Sequence, residues 1–140
     1  MLAFRKTKHW RRCWRDVTET PRPGLPVRGS TSGRPIMAAL DLFGRRWNLR
    51  IIWELHQGPT GFRPLQQRCD GMSSSVLRQR LVELTQAGLV AQQDDSGYTL
   101  TALGDDAYRA LSPLNRWAEN WAEALAEQTT SPQATMENEV

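Results

Sequence analysis

Arg78 and Gln79, with Ser73, Ser74 and Ser75 just ahead of them, have types and a spacing that fit a definite chemistry. Arg and Gln make bidentate hydrogen bonds to guanine and adenine edges in the major groove of DNA. The serines precede a periodic run, where hydroxyls cap a helix and its free N–H groups and positive dipole end attract an anion. No acid follows until Glu83, so a phosphate is favoured there, and plain capping is compatible with it. Leu77, Leu81 and Leu84 recur at helical spacing, which leaves Ser75, Arg78, Gln79, Val82 and Gln86 on the opposite face. Arg78 and Gln79 are therefore the expected base readers. Arg80 lies beside the leucine face, which suits a phosphate contact or an ion pair within the fold better than base reading. A surface helix with solvated polar residues is the plain alternative for this stretch.

No other group of residues offers a reaction. Cys13 and Cys69 are far apart and form no CxxC, which argues against a disulfide scaffold or zinc site and fits a reducing compartment. His9 and His56 have no carboxylate or cysteine partner at ligand spacing, so no metal and no cofactor are expected. Asp94-Asp95 and Asp105-Asp106 read as turn and helix-start residues, not as a catalytic pair. No nucleophile–base or phosphate-loop pattern appears, so the chain is not expected to be an enzyme. Cys69 reads as a small core residue, since nothing nearby argues for a lowered thiol pKa.

The elements that must hold this face can be read in order. Pro35 suits the first turn of a helix that carries Ile36, Ala39, Leu40 and Phe43 on one side and stops at Gly44. A second helix covers roughly Trp47 to His56, with Leu49, Ile52 and Leu55 inward and Arg50–Glu54 as an i,i+4 ion pair. Thr60 to Phe62 is a short extended piece fit to add a third strand. Arg63-Pro64 opens a third helix with Leu65 and Cys69 inward, and Asp70-Gly71 turns the chain into the helix of the leucines. Gly88 ends that helix. Leu89–Gln93 and Tyr98–Thr101 are strand-like runs around the turn residues Asp94, Asp95, Ser96 and Gly97. Helix, turn and helix with a glycine between, backed by a hairpin, describe a winged helix-turn-helix. The last element is a long helix from about Ala102 to Glu127, which Pro113 should kink or split. Leu103, Ala107, Leu111, Leu114, Trp117, Trp121 and Leu125 recur along it at helical steps. The rings of Trp117 and Trp121 are costly to leave in water at ~25 cal/mol per Å² of apolar surface. Leu111, Leu114, Trp117, Trp121 and Leu125 are thus the expected homodimer interface, the alternative being that the stripe folds back on the first helix.

Charge is distributed unevenly. Residues 1–33 hold eight basic side chains against Asp16 and Glu19, a net of +6, which leaves −3 for the rest of a chain of net charge +3. The pI near 9.3 therefore comes from this segment and says little about the domain. Its Arg, Trp, Pro and Gly content predicts a loosely ordered or disordered tail. His9-Trp10-Arg11-Arg12 and Trp14-Arg15 interleave rings with cations in a way that suits DNA phosphates or a minor groove. The alternative is a solvated tail, or residues placed ahead of the natural start. No apolar run approaches the ~20 residues of a membrane span, and no apolar segment follows the basic start as a secretory signal would require. The expected organisation is a basic tail over 1–33, one domain over 34–127 and a frayed tail over 128–140.

In its particular residues the chain resembles the HxlR-type winged-helix transcriptional regulators, relatives of the MarR type. The resemblance covers about Arg34 to Glu127. It rests on Ala39-Leu40-Asp41-Leu42-Phe43-Gly44 with Trp47, on Gly58-Pro59 with Phe62 and Leu65, on Ser73 through Leu77, Arg80-Leu81, Leu84 and Ala87-Gly88-Leu89-Val90, and on Tyr98-Thr99-Leu100-Thr101 with Leu103-Gly104. It implies a mainly α fold with a small β-hairpin, a winged helix-turn-helix with a long C-terminal dimerisation helix. It also implies a cytoplasmic homodimer that binds double-stranded palindromic operator DNA, more commonly as a repressor, with an unidentified effector open as a further partner. The chain departs from the family at Arg34, where some members carry a sensing cysteine. It departs again at Thr60 and Gly61, where basic residues are usual, and at Arg50, Trp53 and the acidic wing tip Asp94-Asp95. Phosphate contacts are therefore expected from Arg45, Arg46, Arg63, Arg78 and Arg80. The acidic domain, acidic wing and tryptophans leave a second reading, a winged helix turned to protein–protein interaction.

Overall fold

Spacing of three and four residues between Leu77, Leu81 and Leu84 does produce a helix, and the rest of the fold closes over its leucine side. The computed structural model describes residues 20–93 and 97–130. Its elements are α1 (Pro35–Gly44), α2 (Asn48–Leu55), α3 (Phe62–Arg68), α4 (Ser74–Gln86), β1 (Val90–Gln93), β2 (Gly97–Leu100) and α5 (Ala102–Thr130). This is the mainly helical winged helix-turn-helix that the sequence predicts. Ile51, Ile52 and Leu55 of α2 meet Leu65 and Cys69 around α3, Leu77, Leu81 and Leu84 of α4, and Val90 and Leu100 of the hairpin. α2 is central: it packs on α1, α3, β2 and α5. Leu49, expected inward, is only half-buried, and Ile51 takes its place in the core.

The hairpin is antiparallel, with Val90 opposite Leu100 and Gln93 opposite Gly97. Thr60 exchanges two backbone hydrogen bonds of 2.9 Å with Tyr98, so the expected third strand is present as a single bridge. It goes no further because Phe62 already begins α3. Gly97 has φ +85°, and a Cβ there would run into the Thr60 carbonyl, so this edge is closed to any side chain. At the other end, Thr101 caps α5: its hydroxyl donates to the Gly88 carbonyl at 2.6 Å and accepts from the Gly104 N–H at 3.1 Å. Gly104 is buried with its Cα turned onto the Leu89 carbonyl, which leaves no room for a Cβ.

Several expectations need correction. In α1 the core takes Ala38 and Leu42, with Phe43 at its edge, while Ile36 and Leu40 are 57% and 59% exposed. The helix has apolar residues on two sides, and only one of them is buried. Pro113 neither ends nor splits α5, which is one helix to Thr130. From Ser112 onward the helix is exposed all round, so the Arg109 carbonyl that Pro113 leaves unpaired is solvated. Frayed residues were expected from 128, yet the Thr129 and Thr130 hydroxyls still donate to the Leu125 and Ala126 carbonyls. Ahead of residue 34 the described chain already makes contacts with the domain. Thr20 and Pro21 are buried, the Thr20 hydroxyl donates to Gln86 Oε1 at 2.7 Å, and Val27 pairs with Ser30 in a tight turn. The ring-and-cation stretches before residue 16, the wing-tip acids Asp94 and Asp95, and residues 131–140 lie outside the described residues.

Candidate nucleic-acid interface

Recognition chemistry needs a rigid helix with one free polar side, and α4 supplies both. Ser73 is its N-cap, accepting from the Val76 N–H at 3.3 Å, and no acid stands in the first turn. Ser74 and Ser75 are exposed beside it, and Ser75 shares a 3.3 Å hydroxyl contact with Ser73. The N-terminus of the helix thus offers hydroxyls and backbone N–H groups to an anion. Leu77, Leu81 and Leu84 fix the roll of the helix, because their side is fully buried. Arg78, Gln79, Val82 and Gln86 consequently face solvent together. Val82 is an apolar side chain on that free side, suited to the thymine methyl group.

Arg78 does not wave freely. Its guanidinium sits 5.4 Å from the Phe62 ring centroid, so a cation–π contact aims it along the start of α3. The sequence named Phe62 as the end of an extended piece and as part of the family resemblance, not as a support for Arg78; the signal was an aromatic residue opening the helix before α4. Arg63 is exposed one residue on. Arg68, not among the residues expected from the sequence, is exposed at the end of α3, and its Nη1 donates to Thr60 Oγ1 at 3.3 Å, beside the hairpin. Arg46 is exposed, its guanidinium 5.1 Å from the Trp47 ring centroid.

Two of the expected phosphate contacts are taken elsewhere. Arg45 is nearly buried and donates to Glu83 Oε1 at 3.1 Å, with Asp41 3.7 Å away. Arg80 donates to both oxygens of Glu83, at 2.9 and 2.8 Å, and is also mostly buried. A carboxylate inside the fold thus holds both guanidinium groups, which for Arg80 is the ion pair that the sequence offered beside a phosphate contact.

The residues expected at a dimer interface lie on the free stretch of α5. Leu114, Trp117, Trp121 and Leu125 are exposed, Leu111 is half-buried, and the two tryptophan rings stack at 5.3 Å. Cys69 is buried under α2 and α3, and burial pushes its thiol pKa up, with Arg50 opposing and Glu54 and Asp70 assisting. Among the described residues no cluster of three metal-ligating side chains occurs. No described helix is long and apolar enough to cross a membrane.

Capped recognition helix, preceding α3 and paired wing strands define a winged helix-turn-helix protein. The chain belongs to the HxlR-like helix-turn-helix family, whose family model matches residues 42–126. It is 31% identical over 101 residues to the HTH-type transcriptional regulator YodB of Bacillus subtilis, covering 68% of this chain and 90% of YodB. It is 28% identical over 92 residues to MJ0925 of Methanocaldococcus jannaschii, an uncharacterized HTH-type transcriptional regulator, covering 63% of this chain and 86% of that one. Among solved structures, quinone-bound YodB superposes with a TM-score of 0.53 at 34% identity, over 64% of this chain and 94% of that one. A protein described as a MarR-family regulator from Enterococcus faecalis superposes with a TM-score of 0.60 at 32% identity, over 72% and 97%. As a member of this family the chain is a transcriptional regulator, not an enzyme.

Proposed function

We propose that the protein is a sequence-specific DNA-binding repressor that acts in the cytoplasm as a homodimer on a palindromic operator. The observation that carries this reading is the free side of α4: Ser75, Arg78, Gln79 and Val82 exposed on a helix whose other side is fully packed, with Gln86 at its end held by the Thr20 hydroxyl. Inserted in a major groove, Arg78 and Gln79 read base edges, while Ser73, Ser74, Ser75 and Arg63 meet phosphate. Arg68 and Arg46 add charge at the margins. Homodimerisation through Leu111, Leu114, Trp117, Trp121 and Leu125 covers the apolar stripe of α5. A two-fold dimer sets its recognition helices about 34 Å apart, so the operator is an inverted repeat with half-sites ~10 base pairs apart. Bound there, the dimer excludes RNA polymerase from the promoter.

An effector is a further partner in this reading. One relative is solved with quinone bound. Here an apolar cavity of about 190 Å³ between α2 and α5, walled by Trp53 and Tyr108, has room for one aromatic ring. The test of the whole reading is selection of bound duplexes from a random pool, followed by titration of the selected and a scrambled duplex. The alternative, a winged helix turned to protein–protein interaction, predicts no sequence preference even at low salt.

A further inference from the structure

Glu83 lies on a flank of α4, one turn beyond Gln79 and between that side and the leucine side. Its carboxylate is buried, yet it is not idle: three hydrogen bonds from two guanidinium groups converge on it. Arg80 comes from the same helix and Arg45 from the end of α1, with Asp41 behind Arg45. A buried ion-pair group of this kind returns little net stability, because taking the charges out of water costs about what their attraction regains. Arg80 even keeps a buried Nε without a hydrogen-bond partner, so packing alone would be served better by apolar side chains.

The position of the group matters more than its energy. A helix in the major groove, about 12 Å wide, has a phosphate wall along each flank. Arg80 stands on such a flank, with a stem long enough to reach a wall. Its charge would add affinity for any sequence, since phosphate contacts carry no sequence information.

We propose that Glu83 is a specificity-determining residue: by holding Arg80 and Arg45 inside the fold, it keeps their charge off the phosphates, so that affinity rests on base reading by Arg78 and Gln79. The inference rests on the DNA-binding reading given above. It assigns an acidic residue of the recognition helix to discrimination between sequences.

The test compares the full chain with Glu83→Gln, Arg80→Gln and the double variant. Each is titrated with a duplex selected from a random pool by the wild type and with one arbitrary duplex, across salt concentrations. Far-ultraviolet circular dichroism melts check the fold. Glu83→Gln should bind arbitrary DNA more tightly, with a salt slope steeper by about 0.9 for each arginine released per protomer, up to about 1.8. The preference for the selected duplex should fall severalfold. The double variant should give back about 0.9 of that slope per protomer. Arg80→Gln alone should leave the slope unchanged, because Arg80 touches no phosphate in the wild type. A folded Glu83→Gln protein with the wild-type slope overturns the inference. So does a shallower slope for Arg80→Gln, which decides the matter even where Glu83→Gln does not fold. In both cases wild-type preference for the selected duplex leaves the DNA-binding reading standing. A wild type that binds neither duplex removes that reading and this inference with it.

Discussion

Replacing Trp117 and Trp121 together by alanine should dissociate the protein into monomers. The two rings are 56% and 54% exposed in one protomer and stack on each other rather than on the domain. A tryptophan carries roughly 150–250 Å² of surface, so together they leave about 165–275 Å² in water per protomer. At ~25 cal/mol per Å² this is about 4–7 kcal/mol, and both protomers contribute. Association costs consume much of it, and with half retained about 4 kcal/mol or more remains. The double substitution should therefore weaken dimerisation on the order of 1,000-fold or more. Sedimentation equilibrium over a concentration series reads this directly, with the wild type near twice 15.9 kDa and the variant near 15.9 kDa. The melting of the domain should change little at high dilution, because neither ring belongs to its core. A wild type that sediments as a monomer at micromolar concentration, or a double variant as dimeric as the wild type, refutes the reasoning.

Gly104→Ala should destabilise the protein by about 2 kcal/mol, as forced overpacking does, because its methyl group would press on the Leu89 carbonyl; an unchanged melting temperature would contradict that close approach. In a Cys13→Ser variant, where Cys69 is the remaining thiol, diamide should leave DNA affinity unchanged, since Cys69 is buried and its pKa is raised. The same burial has a pH signature. The unfolded chain releases the Cys69 proton first, so stability should fall as pH rises above the ordinary thiol range and should be insensitive to this group below it. Melts of Cys69→Ala against the parent across that range check the sign.

The leucine side of α4, its serine cap and the glycine after it were legible because each is a local signal within one helix. The hairpin was legible for the same reason, to within a residue at its ends. What was not legible depends on contacts between distant parts of the chain. Ile36 and Leu40 have the spacing of a core stripe, and nothing local tells which apolar side of α1 the core will take. The inward residues of α1 include the small Ala38, which carries almost no apolar signal. Arg80 and Glu83, three residues apart, were readable as a local ion pair, but Arg45 meets Glu83 across 38 positions, and its charge looked free in the sequence. The same is true of Thr20 on Gln86, a contact made by a segment whose composition reads as a tail. Phe62 under Arg78 needed the turn between α3 and α4 to be known before it could be seen as a support.

The proposed function turns on whether the free side of α4 reads DNA sequence. The most direct measurement sets Arg78→Ala beside Arg63→Ala, each titrated with the selected inverted repeat, its single-base variants and scrambled DNA over a range of salt. Arg78→Ala removes a bidentate pair of hydrogen bonds from each half-site; each pair should cost roughly 1–3 kcal/mol, and preference should relax at one symmetric pair of positions. Arg63→Ala should weaken all duplexes alike and make the salt slope shallower by about 0.9 for each phosphate it no longer neutralises. Equal loss on selected and scrambled DNA for Arg78→Ala would contradict base reading by Arg78, and a wild type without any preference among duplexes would contradict the account as a whole.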